Sequence, residues 1–214
     1  MRDFSQEVTD RFLACLAAAD HQQTPYDHWL LASCLPDRAV EEIVGLPFAP
    51  PRDLDFDGRR ESGNSTRLFF SPEQQARFPV CAAMADAFKN PSVISVLELM
   101  TGAPVGQGQL RIEYCQDTNG FWLEPHLDIK VKLFTMLIYL SDDPALFDAG
   151  TDIYDSSPEH RLVRTVPYQR NAGMIFIPGT DSWHGFSKRP IHGVRKSVIV
   201  NYVTPDWRAV EELC

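Results

Sequence analysis

Cationic charge is scarce in this 214-residue chain: 20 Lys and Arg stand against 29 Asp and Glu, a formal net charge of −9. That balance argues against a nucleic-acid backbone or an anionic membrane surface as the main partner. Long apolar runs are missing as well, and nothing approaches the roughly 18 consecutive apolar residues of a membrane span. The opening stretch MRDFSQEVTDRF is broken by charges, so no apolar leader is expected there. Cysteine is sparse and scattered. Cys15, Cys34, Cys81, Cys115 and Cys214 form an odd set with no CxxC, which points to free thiols in a reducing cytoplasm rather than a disulfide frame or a zinc knuckle. There is no GxSxG elbow, no P-loop and no dinucleotide fingerprint after a strand. Internal repeats and low-complexity tracts are absent too.

What is present divides at about residue 108. The first part reads mainly as helix. Phe4, Val8, Phe12 and Leu16 recur every four residues, an apolar stripe on one helical face. A short apolar run, YDHWLLASCLP, ends at Pro36, and DRAVEEIVGL after it reads as a second helix. Ser71-Pro72 opens a third, which Pro79 should kink or split. Ser92 is the expected cap of a fourth, stopping at Gly102. After Gly108 the period changes to short runs such as QLRIEYCQ, KLFTMLIYL, AGMIFIP and RKSVIVNYV, separated by Gly, Pro and Asp. Helices followed by many short strands predict an α+β domain, a sandwich or barrel braced on one side by helices. Between the helices, Arg52 to Thr66 is too long and polar for an ordinary connection. It reads as an exposed loop or as a lid over a site.

The chemistry-bearing residues lie in the strand-rich part. His126 and Asp128 stand two apart, so in extended chain they share a face. His184 follows a buried-looking strand, and Arg195 and Ser197 again share a face. Two imidazoles and a carboxylate suit a non-haem Fe(II) centre with open positions. An arginine beside a hydroxyl offers a planar fork for a carboxylate. Together they describe a pocket for a small dicarboxylate that chelates the metal at its other end.

The order His126-Leu127-Asp128, His184, Arg195-Lys196-Ser197 resembles the HxD…H…RxS pattern of the Fe(II)- and 2-oxoglutarate-dependent oxygenases, in particular their prolyl-hydroxylase-like branch. The resemblance runs from about Leu110 to Val203. It implies one domain over 1–214: a double-stranded β-helix (jelly roll) core at 109–204 and mainly helical support at 1–108. It further implies Fe(II) held by His126, Asp128 and His184, with 2-oxoglutarate and O2 as cosubstrates and ascorbate as a reductant. The expected cosubstrate contacts are Arg195, Ser197, Tyr139 and Tyr114, the tyrosines by their place on the strands flanking HxD. The implied reaction is oxidative decarboxylation of 2-oxoglutarate coupled to hydroxylation. Halogenating relatives carry a small residue at the carboxylate position, where this chain has Asp128. Two other readings stay open: a cupin-like metalloenzyme that does not use 2-oxoglutarate, and a non-catalytic metal or small-molecule sensor on the same fold.

The expected partner is a small-molecule substrate, with no nucleic acid and no membrane. Trp122, Lys130 and Lys132 flank the motif, and Arg59-Arg60 makes the loop basic. These favour an anionic substrate or are simply solvated charges. Substrate class and oligomeric state are not fixed by sequence.

Overall fold

A computed structural model describes residues 3–50, 56–59 and 67–214. Of the loop Arg52 to Thr66, only positions 56–59 therefore fall among the described residues, and its expected role as a lid lies outside them.

Helix α1 (Phe4–Ala17) buries Val8, Phe12 and Leu16 along the stripe read from sequence. Helix α2 (Asp37–Val44) buries Ala39, Val40 and Ile43. Pro79 splits the next helical stretch into α3 (Pro72–Arg77) and α4 (Pro79–Lys89). A proline ring has no N–H to donate and disfavours helical backbone in the residue before it. Phe78 is accordingly extended, at φ −128°, ψ 113°. The cap of α5 (Pro91–Thr101) is a correction to the sequence reading. Asn90, not Ser92, is the capping residue, and its side chain accepts from the Ser92 N–H while Pro91 takes the first helical position. The helix ends at Gly102, whose φ of +72° is the left-handed geometry a helix stop favours.

The N-terminal part is not helix alone. It also contributes strands β1 (Asp20–Gln22), β2 (His28–Leu31) and β3 (Arg67–Phe69). Strands of three or four residues are too short to show periodicity against a helical background. The remaining strands are β4 (Gln109–Asp117), β5 (Leu123–His126), β6 (Lys132–Tyr139), β7 (Asp152–Tyr154), β8 (Leu162–Thr165), β9 (Gly173–Phe176), β10 (His184–Phe186) and β11 (Arg195–Val203). They form a seven-stranded sheet, ordered β1-β2-β9-β6-β11-β4-β3, and a four-stranded sheet, ordered β5-β10-β7-β8. All the pairings are antiparallel.

The two faces of the large sheet differ sharply in chemistry. One presents Leu110, Ile112, Tyr114, Phe134, Met136, Ile138, Val198, Val200 and Tyr202 to the helices. The alternate residues face the smaller sheet, where Leu137, Tyr139, Met174, Phe176 and Ile199 pack with Ile153 and Phe186. Period-two alternation assigns the two sets. The inner set also contains buried Arg111, Glu113, Asp117, Thr135, Arg195, Ser197 and Asn201. Ionisable groups so seldom stay buried unless paired that this concentration marks the inner face for binding or catalysis. The result is a double-stranded β-helix braced by helices on one side.

One buried carboxylate is structural. Asp152 on β7 accepts from Arg189 Nη1 at 2.6 Å, Ser187 N at 2.7 Å and Thr165 Oγ1 at 2.6 Å. Burial alone would raise its pKa, but the Arg189, Ser187 and Thr165 hydrogen bonds hold it below the usual carboxylate value. Because the folded value is depressed, its stabilisation is present above about pH 4 and is lost as pH falls through the folded value. Asp152→Ala should destabilise the fold by about 3 kcal/mol at neutral pH. Urea unfolding at pH 7 and pH 3 checks both points, since the variant should lose less stability between the two than wild type.

Candidate metal centre

His126 ends β5 and His184 begins β10, and the two residues are register partners across the strand pair. Their rings lie with centroids 4.4 Å apart. Asp128, just beyond β5, completes the group: one ligand atom from each of His126, Asp128 and His184 lies within 4.8 Å of the others. The sequence reading brought these three together, and so does the fold.

The imidazole tautomers follow from the backbone. His126 Nδ1 is 2.8 Å from Glu124 O, and His184 Nδ1 is 2.9 Å from Ser182 O. A carbonyl oxygen only accepts, so each Nδ1 carries the proton and each Nε2 presents its lone pair, as a metal ligand requires. Burial, with a lesser contribution from the nearby His126, pushes the His184 pKa down to about 3, so that ring is neutral near pH 7. The Glu124 side chain is exposed. Its carbonyl does the supporting instead.

Asp128 is oriented by two neighbours. Lys132 Nζ donates to Oδ1 and Thr135 Oγ1 to Oδ2, each at 2.6 Å. Lys132 sits at 7% side-chain exposure, so it is an internal partner of the site rather than the solvated flank its sequence position suggests. Thr135 in turn accepts from Asn201 Nδ2 at 2.9 Å. Two imidazoles and one carboxylate, already oriented by hydrogen bonds, fit an Fe(II) ion with open positions.

Close packing holds the two histidine strands together. A Cβ at Gly185 would lie 2.9 Å from both the Leu123 and Glu124 carbonyl oxygens of β5. Gly185→Ala should therefore push β10 off β5, costing about 1–3 kcal/mol. Manganese(II) affinity should fall with it, and thermal melting combined with Mn(II) titration checks this.

Arg195 stands on β11 at the closed end of a cavity also lined by Asp117, Thr151, His184, Phe186 and Ile199; Ser197, two residues along the same strand, is not among its lining residues. Arg195 is not an open fork. Nε donates to Ala149 O and Nη1 to Asp117 Oδ2, both at 2.6 Å, so among the described residues Nη2 is the edge with no hydrogen bond. Ser197 Oγ is fully buried and has no partner among the described residues. Tyr139, the register partner of Ser197, donates from its hydroxyl to Thr151 Oγ1 at 2.9 Å at the cavity wall.

Tyr114 is a correction. It pairs with Val198, one position away from the Cys115–Ser197 pair, and so faces the helices. There it packs against Phe48, on the opposite face of the sheet from the histidines. The expected contact with a cosubstrate is not available to it. Sequence reasoning also missed Asp117, Thr135 and Thr151. The only signal for Asp117 is its parity with Cys115, which places it opposite Arg195 once the register is known.

The other histidines divide by surroundings. His28 is fully buried with Nδ1 2.8 Å from Tyr26 O, whereas His192 is exposed. His160 is half-buried and stacks on Trp183 with ring centroids 3.7 Å apart. The visible part of the 52–66 loop lies beside the site. Trp122 Nε1 donates to Phe56 O at 2.9 Å, and Glu124 N donates to Gly58 O at 3.0 Å. Gly58, at φ +83°, has the Trp122 ring where a Cβ would stand, so only glycine fits.

No family model and no curated protein sequence matches the chain. Solved structures do share its fold. A prolyl-4-hydroxylase from Pseudomonas putida superposes with a TM-score of 0.56 at 14% identity, covering 94% of this chain and 93% of that one. A prolyl hydroxylase from Trichoplax adhaerens, solved with a peptide fragment of the hypoxia-inducible-factor oxygen degradation domain, gives 0.56 at 12% identity, covering 93% and 88%. The non-haem α-ketoglutarate-dependent epimerase SnoN of nogalamycin biosynthesis gives 0.52 at 13%, covering 92% and 83%. The chain has the double-stranded β-helix fold of these enzymes.

Proposed function

We propose that the protein is a non-haem Fe(II) oxygenase that couples oxidative decarboxylation of 2-oxoglutarate to hydroxylation of a small molecule. The convergence of His126, Asp128 and His184 carries the reading, with both imidazoles turned so that Nε2 is the ligand atom. Bound iron would supply the activation of O2 and the oxidation of 2-oxoglutarate to succinate and CO2. The protein's own share is binding and order. Lys132 and Thr135 fix the Asp128 carboxylate, Arg195 and Ser197 receive the distal carboxylate of the cosubstrate, and Phe121, Leu137, Phe186 and Ile199 keep water from the cavity.

One observation favours a second reading, a metalloenzyme without 2-oxoglutarate. Arg195 already has an anion, Asp117, at 2.6 Å. Cosubstrate must then share the guanidinium or displace Asp117. A substrate library screened for succinate release with Fe(II), ascorbate and 2-oxoglutarate separates the two. Substrate-dependent succinate supports the proposal. Product without succinate, or turnover that ignores 2-oxoglutarate, supports the second.

A further inference from the structure

Arg67 was not among the site residues read from sequence, yet it lines both the closed cavity with Arg195 and His184 and the open mouth with His126, Asp128 and Lys132. It lies on edge strand β3, opposite Cys115 of β4, and its side chain is 6% exposed. Nη1 donates to Glu113 Oε2 at 2.7 Å, while the buried Nε has no partner among the described residues. A buried guanidinium N–H without an acceptor costs free energy that a bound anion would recover. The Glu113 carboxylate does not neutralise Arg67 alone. Arg111 also reaches it, with Nη1 3.1 Å from Oε1 and Nη2 3.2 Å from Oε2. Arg111 is further bound to Glu212, from Nε to Oε2 at 2.6 Å.

Register places the guanidinium along the cavity. Arg195 and Asp117 are opposite each other at the closed end, and Thr135, which holds Asp128, is opposite Asn201 six residues along β11. Arg67 enters at the level of Ser197 and reaches toward Glu113, at the level of Ile199. Along the ladder it therefore stands between the Arg195–Asp117 pair and the level of Thr135, the residue that holds Asp128. A dianion in this cavity meets an Arg195 already hydrogen-bonded to Asp117, and Arg67 offers a second guanidinium whose buried Nε–H is unused among the described residues.

We infer that Arg67 binds the metal-end carboxylate of the dicarboxylate cosubstrate, while Arg195 binds the distal one. The inference rests on the 2-oxoglutarate reading and divides the two carboxylates between two arginines on different strands. The probes are 2-oxoglutarate and 4-oxopentanoate, which keeps the distal carboxylate and the ketone but lacks the metal-end carboxylate. Each is titrated anaerobically into Mn(II)-loaded protein and followed by calorimetry. Arg67→Gln should weaken 2-oxoglutarate about tenfold or more and leave 4-oxopentanoate unchanged. Arg67→Lys should recover part of the loss. Arg195→Met should weaken both probes. Unchanged 4-oxopentanoate affinity, with unchanged Mn(II) affinity, shows that the Arg67→Gln site is folded. Equal loss of both probes in Arg67→Gln, or no loss of either, overturns the inference and leaves the 2-oxoglutarate reading standing. Wild-type protein that binds neither probe overturns both.

Discussion

His184→Ala should abolish succinate formation and lower Mn(II) or Fe(II) affinity more than about 100-fold, because even groups that only orient a ligand are worth 10- to 100-fold. On the proposed function the ring would supply one of three ligand atoms, and Phe176, packed against it with centroids 4.4 Å apart, has no atom that could replace it. His126→Ala should match this loss of affinity. His126 is the less buried of the two, so its variant is the better test of metal binding at unchanged fold. Metal titration with circular dichroism is the measurement. Wild-type metal affinity in either folded variant would remove that histidine from the centre.

The second large effect is expected at Arg195. Arg195→Met should weaken 2-oxoglutarate by roughly 10- to 150-fold, the worth of a charge-assisted hydrogen bond of about 1.5–3 kcal/mol. Metal affinity should stay within about twofold, because Arg195 contacts none of the three ligands. The same substitution strands Asp117, which is 5% exposed and loses its cation. That alone should cost several kcal/mol of stability. The double variant Asp117→Asn/Arg195→Met removes this complication and should regain stability while keeping the weak cosubstrate binding. Asp117→Asn by itself should tighten 2-oxoglutarate, since the anion that competes for the guanidinium is gone. Titration of 2-oxoglutarate into anaerobic protein checks all three, and equal affinity of wild type and Arg195→Met would end the anchor assignment.

The candidate pair His126 and Asp128 was legible in the sequence because its spacing is local, whereas the approach of His184 depends on the pairing of β10 with β5. His126 and Asp128 stand two apart, and Arg195 and Ser197 share a strand face by parity alone. Pro79 splitting a helix is equally local. What could not be read depends on which strand lies beside which. Tyr114 and Cys115 differ by one position in a nine-residue strand, and only the pairing with Ser197 shows which of them faces the cavity. Arg67 lies on a three-residue strand next to a polar loop, so nothing in its neighbourhood marks it as internal. The burial of Lys132 and Asp117 could not be read either, because it is decided by a partner across a turn or far along the chain. Asn90 displaced Ser92 as the helix cap because Pro91 is suited to the first helical position, and that was present in the sequence but unused.

The hydrogen bonds that set the two metal-facing tautomers have an evolutionary consequence. Each runs from a histidine to the backbone oxygen two residues upstream, and buried His28 makes the same contact with Tyr26. The acceptor is thus a peptide group, which every amino acid provides. Exchanges of side chain at Glu124 or Ser182 leave it in place, so ring orientation is robust to nearly any point mutation at the residue that enforces it. Drift can recolour the chemistry around the centre while the two imidazoles keep pointing the same way.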